Sequence, residues 1–122
     1  MDLAALEARL RAEALALPET SEHFPWGERV VKVASGATPK VFVFLSHWQE
    51  GLNITLKLPL SGDFALLLEA CKPAGYGLGR AGWVTTRLFA DADFDTDLLS
   101  AWLLESYRAV APGRLVRAHF GA

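Results

Sequence analysis

A two-layer α+β sandwich, an antiparallel sheet with helices on one face, is the architecture this sequence predicts. Three observations predict it. Residues 2–17 carry leucines at helical spacing, several later segments alternate or run apolar at strand length, and residues 96–110 return to helical spacing. Neighbouring strands joined by short turns pair antiparallel, and amphipathic helices bury their stripes against one sheet face. The predicted order is α-β-β-β-α-β(-β)-α, and the opposite sheet face is left open.

The first helix places Leu3, Leu6, Leu10, Ala14 and Leu17 on one stripe, while Glu7, Arg9, Arg11 and Glu13 avoid it. Asp2 can cap its start, and Pro18 ends it because a residue before proline disfavours helical geometry. Three strands follow: Glu28–Ala34, rich in valine; Lys40–Ser46, KVFVFLS; and Leu52–Leu58, LNITLKL. The second is apolar on both sides, as for a strand with neighbours on each edge. It would expose either Phe42 and Phe44 or Val41, Val43 and Leu45 unless something covers them. In the third, Leu52, Ile54, Leu56 and Leu58 alternate with Asn53, Thr55 and Lys57, so period two sends the polar set away from the core.

A second helix is predicted over Gly62–Lys72, stopped by Pro73. The glycine-rich stretch Pro73–Gly82 follows, with a short edge strand expected around Tyr76. Trp83–Phe89 alternates again, with Val84, Thr86 and Leu88 opposite Trp83, Thr85 and Arg87. Asp95 caps a last helix over Thr96–Val110, with Phe94 and Leu99 spaced for a hydrophobic staple. Leu98, Leu99, Trp102, Leu103 and Val110 make its stripe, and Pro112-Gly113 stops it.

The 122 residues form one domain's worth of chain, with about two-thirds of the unfolded surface expected to be buried on folding. At 52% hydrophobic and 21% charged residues, the composition excludes intrinsic disorder. No run reaches the ~18 apolar residues of a membrane helix, and Asp2, Glu7 and Arg9 occupy the place of a signal-peptide core. Cys71 is the sole cysteine and forms no internal disulfide. A cytoplasmic protein without membrane partners is the expectation.

The net charge of −2 argues against a surface that is basic all round. It hides a division along the chain. Residues 1–28 carry −4, residues 29–90 carry +4, residues 91–107 carry −5, and the tail carries +3. Strand phase gathers part of the basic middle on the open face: Asn53, Thr55 and Lys57 from one strand, Trp83, Thr85 and Arg87 from another, with Lys32 a further candidate. Cations and hydrogen-bonding side chains there can neutralise phosphates while an indole stacks on a base. A solvated sheet face holding one tryptophan, or a subunit interface, carries the same pattern.

Other chemistries lack their required spacing. Gly77-Leu78-Gly79-Arg80-Ala81-Gly82 matches GxGxxG, but it follows a predicted helix and opens a strand, the reverse of a dinucleotide site. A turn explains it, with an anion nest assisted by Arg80 as the lesser reading. Asp91, Asp93, Asp95 and Asp97 suggest a calcium loop, yet Thr96 replaces the glycine at position six and Trp102 the glutamate at twelve. His23, His47 and His119 have no metal-site spacing, and Cys71 lies among apolar residues like a core thiol. The expectation is a non-enzymatic protein with no cofactor and no metal.

The order Phe24-Pro25-Trp26-Gly27-Glu28, a strand with Lys32, KVFVFL, Leu56-Lys57, Trp83-Val84-Thr85 and a helix with Ser106-Tyr107 resembles the MmcQ/YjbR family from about Leu3 to Val110. The resemblance implies a CyaY-like, or secretion-chaperone-like, fold for a single domain spanning residues 1–122. It also implies DNA binding, the label commonly given to family members. Many members carry a His-hydrophobic-Asn-Lys-x-His-Trp run before the last strand. This chain matches it at Leu78, Arg80 and Trp83 and departs at Gly77, Gly79 and Gly82. The family positions carried over are Lys57, Arg80, Trp83 and Thr85. The reading is therefore DNA held at its phosphates by Lys32, Lys57, Arg80 and Arg87, with Trp83 stacking. No helix shows the basic exposed face of a recognition helix, so sequence-specific readout is not expected. A homodimer or peptide-binding module using the open face, and a small-anion site at the glycine loop, are the alternatives.

Overall fold

A computed structural model describes residues 1–121. It contains α1 (Leu3–Leu15), β1 (Thr20–His23), β2 (Arg29–Val33), β3 (Lys40–Trp48), β4 (Gly51–Lys57), α2 (Gly62–Ala65), β5 (Cys71–Pro73), β6 (Trp83–Leu88), α3 (Thr96–Val110) and α4 (Gly113–Phe120). The strands form one antiparallel sheet in the order β1-β2-β3-β4-β6-β5. Helices α1 and α3 pack on one face, giving the α+β sandwich that the patterning predicts. No helix among the described residues is long and apolar enough to cross a membrane.

The helix-side core is built from the predicted phases. Val43, Leu45, Leu52, Ile54, Leu56, Val84 and Leu88 meet Leu6, Leu10 and Ala14 of α1 and Leu99, Trp102, Leu103 and Tyr107 of α3. Both capping expectations hold: the Ala5 amide donates to Asp2 Oδ1 at 3.0 Å and the Asp97 amide to Asp95 Oδ1 at 3.0 Å. The α3 stripe is shifted from the expected one. Ser106 and Tyr107 are buried, while Leu98 and Val110 are half-buried.

Four elements differ from the sequence reading. Strand β1 was not expected, because TSEH has no apolar stripe; its helix-side Glu22 pairs with Arg11 (2.5 Å) and Arg29 instead. The helix expected over Gly62–Lys72 ends at Ala65. Cys71–Pro73 then pairs with β6, and the Arg87 amide donates to Ala70 O at 2.9 Å, so sheet pairing overrides helical propensity there. This pairing moves the extra edge strand from Tyr76 to residues 71–73 and leaves Tyr76 exposed in a left-handed turn. Helix α3 ends at Val110 ahead of Pro112-Gly113 as expected, but the same pair opens an unforeseen α4, where the Leu115 amide donates to Pro112 O at 3.0 Å.

Strand β3 resolves its two-sided apolar pattern with a bulge. The register shifts between Val31 and Lys32, leaving Phe42 unpaired and buried, its ring edge-on to Tyr107 at 5.3 Å. The neighbouring ladder groups, Phe42 O and the Lys57 amide, are taken by one hydroxyl. Ser106 Oγ donates to Phe42 O (2.5 Å) and accepts from the Lys57 amide (2.9 Å). Beyond the bulge, Phe44 turns to the other face.

Candidate nucleic-acid interface on the open sheet face

Cross-strand register decides which side chains share the face that α1 and α3 leave uncovered. Lys57 stands opposite Trp83, Thr55 opposite Thr85 and Asn53 opposite Arg87. On β3, Phe44 and Ser46 sit opposite Thr55 and Asn53. Lys32 of β2 and Lys72 of β5 have the same phase, as do Ser21 and His23 of β1. Lys32 and Lys72 lie four strand spacings apart, about 19 Å. The cations thus line a broad surface rather than one point.

Several of these groups are held in place. Arg87 Nε donates to Asn53 Oδ1 at 2.8 Å, and its guanidinium carbon lies 4.0 Å from the Trp48 ring centre. The Thr55 and Thr85 hydroxyls are hydrogen-bonded at 2.8 Å. A planar cation fixed between an amide oxygen and an indole is preorganised for a phosphate, since little side-chain freedom remains to be lost.

The charge of the two faces is divided by ion pairing. Among the described residues, the acids that form ion pairs meet Arg9, Arg11, Arg29, His47 or Arg114, and none pairs with Lys32, Lys57, Lys72, Arg80 or Arg87. Hydrogen bonds from Arg11 and then Arg29 hold the Glu22 carboxyl below its ordinary range. No Asp or Glu occupies an open-face strand position among the described residues. The acidic first segment therefore makes its ion pairs away from the open face, and among the described residues none of those pairs engages the sheet cations.

Trp83 shares the face with Lys57 as strand phase predicts, but its ring does not offer a stacking surface. It is only 8% exposed, edge-on to Phe44 at 5.5 Å, and with buried Val30 and Ala74 it floors the middle of the face. Two half-exposed rings in phase with this face, Trp48 and Phe89, lie at the other end. The Gln49-Glu50 turn has positive φ at both residues, 49° and 66°, which closes β3 and β4 into a two-residue hairpin and extends β3 through Trp48. Trp48 is 46% exposed. Phe89, 39% exposed, lies over Gly51; a Cβ there would come within 2.8 Å of Phe89 Cε1. A strand ending at Ser46, as the sequence predicts, leaves Trp48 outside the sheet, whereas β3 runs to Trp48. The phase of β6, continued one residue past its end, could have found Phe89.

Arg80 is placed differently from the strand cations. It sits on the short 3-10 turn Leu78–Ala81, at the end of the sheet where the Leu58 amide donates to Gly82 O at 2.9 Å. Gly77 and Gly82 hold left-handed φ values of 78° and 89°. A Cβ at Gly79 would come within 2.8 Å of Pro73 Cβ. These glycines serve a tight turn against β5. The amides of Leu78, Gly79, Arg80 and Gly82 donate to backbone carbonyls, so these four are not open to an anion. Cys71 lies in β5 rather than a helix, bonded to the Thr86 hydroxyl at 3.3 Å, and burial pushes its thiol up.

A family model for YjbR matches residues 15–109. The chain belongs to the MmcQ/YjbR family. Among solved structures, this YjbR chain is similar to the Deinococcus radiodurans protein DR2400, which carries a DUF419 domain. The match has 26% identity and a TM-score of 0.69, covering 93% of this chain and 80% of that one. No curated protein matches the YjbR chain. The YjbR match includes every open-face cation, and its Ser106 is the residue that fastens α3 to the bulge beside Lys57.

Proposed function

We propose that this YjbR domain binds DNA through the open face of its sheet, without catalysis. One observation carries the reading: Lys32, Lys57, Lys72 and Arg87 share a face on which no acid stands, while the paired acids lie elsewhere. Phosphates supply the countercharge, and Arg80 adds a cation at the Lys57 end of the sheet. Thr55, Thr85 and Asn53 are spent largely on each other and on Arg87, so the face favours backbone over sequence. Burial raises the Cys71 thiol, so Cys71 is not a candidate nucleophile. A titration of labelled DNA across a salt series tests this. Contacts from four cations give a log–log slope of about −3 to −4, and Lys57→Ala with Arg87→Ala flattens it by about 1.5 to 2. Absence of binding at low salt, or an affinity untouched by the double substitution, rejects the proposal.

A second observation favours self-association, though through another surface than the open sheet. Leu60, Phe64 and Leu67 lie on α2 and the turns that flank it, with Leu60 86% and Leu67 82% exposed. With Leu66 they offer about 450 Å² of apolar surface, or roughly 900 Å² in a two-fold pair, near the lower bound for a specific contact. The reading is a weak homodimer. Sedimentation at rising concentration should show it, and Leu60→Ser with Leu67→Ser should abolish it. A monomer at every concentration, or a dimer that survives the substitutions, rejects it.

A further inference from the structure

We infer that the interface takes single-stranded rather than duplex nucleic acid, with an unstacked base held at the Trp48–Arg87–Phe89 end. The inference rests on the DNA-binding reading and goes further by naming the form of the strand. A cationic surface alone would serve either form. The two differ in what they offer an aromatic ring: a duplex hides its base faces in the stack, whereas a single strand presents them.

Three features of this end fit an exposed base. Trp48 and Phe89 are the half-exposed rings of the face, and Gly51 lies between their backbones without a side chain to separate them. Arg87 lies over the Trp48 ring, so a cation sits beside the stacking surface, where a phosphate neighbouring the stacked base would lie. Next to them opens a cleft of about 510 Å³, lined by Lys72, Arg87, Phe89 and Phe94. Its volume admits one nucleoside. Glu69, Asp91 and Asp93 also line the cleft, which disfavours a phosphate inside it. Their carboxylates suit the amino groups of a base. Phosphate contacts then fall to Lys32 and Lys57, away from these acids, and to Arg87 above the Trp48 ring, and base contacts to this end. At the opposite end, Trp83 is buried and offers no equivalent platform.

Anisotropy titrations of one labelled 12-mer, single-stranded and annealed to its complement, test the inference at a single low salt concentration. The single strand should bind at least tenfold more tightly. Trp48→Ala and Phe89→Ala should each weaken it roughly five- to a hundredfold. Phe89→Ala should change duplex affinity less than twofold, and Trp48→Ala, which also frees Arg87, should lower it far less than it lowers single-strand affinity. Trp48→Phe should restore most of the loss, which separates stacking from a general disturbance of the hairpin. Thermal melts of each variant check that it is folded. Duplex affinity equal to or above that of the single strand overturns the inference but leaves the DNA-binding reading standing. The same holds if the variants lose both forms equally. Failure to bind either form overturns both.

Discussion

Replacing Ser106 by alanine tests how the fold positions Lys57. The β3 bulge removes Phe42 from the ladder and would leave Phe42 O and the Lys57 amide without strand partners, and Ser106 Oγ satisfies both. Deleting one oxygen opens almost no cavity, so the cost comes from two orphaned backbone groups. Each costs about 1–3 kcal/mol when desolvated. Alanine's higher helix propensity returns about 0.5 kcal/mol, leaving a net loss of about 1.5–5.5 kcal/mol. Urea unfolding should therefore show a lower midpoint at an unchanged m-value, with the melting temperature falling by about 10 °C. Amide exchange at Lys57 should quicken more than at Leu52, which lies on the same strand far from the bulge. A loss below about 0.5 kcal/mol would refute the account, because it would show that the two backbone groups do not depend on Ser106 for their partners.

Two further predictions concern acid stability and the glycine turn. Glu22 has a folded-state pKa below its ordinary value of 4.5, so its contribution is complete above that value and is lost as pH falls through the lowered one. Glu22→Gln should accordingly be less stable than the wild type at pH 7, with the gap closing below about pH 4 in urea melts; a gap independent of pH contradicts the assignment. Gly79→Ala drives a methyl into Pro73 and the Ala74 carbonyl, at 2.8 and 3.2 Å. It should cost about 1–3 kcal/mol by the same assay, and a neutral result would show that the turn can move off β5.

Much of the functional face was legible because β4 and β6 alternate cleanly. Period two alone placed Lys57, Thr85 and Arg87 beside Asn53 and Thr55, and register confirms those pairs. Lys32 belongs to the same face, although it lies beyond β3. Other features depended on tertiary pairing. Strand β1 has no hydrophobic signature because arginines, rather than apolar side chains, meet its inward Glu22. The bulge that buries Phe42 and turns Phe44 outward is set by registry with β2 and by Ser106, neither of which is local to β3. Because Phe44 packs edge-on against Trp83, the indole singled out from the sequence forms part of the floor, whereas Trp48 and Phe89 are half-exposed at the other end. Gln49-Glu50 lacks the glycine or asparagine that marks a two-residue hairpin, so the reach of β3 to Trp48 was not apparent.

Mapping backbone amide chemical shifts during a DNA titration tests the location of binding most directly. The account predicts dose-dependent shifts clustered at Lys32, Ser46–Trp48, Asn53–Lys57, Lys72 and Thr85–Phe89, fading as salt rises, with the outward residues of α1 and α3 unmoved. Shifts centred on α1, α3 or α4, with those strands silent, would contradict it.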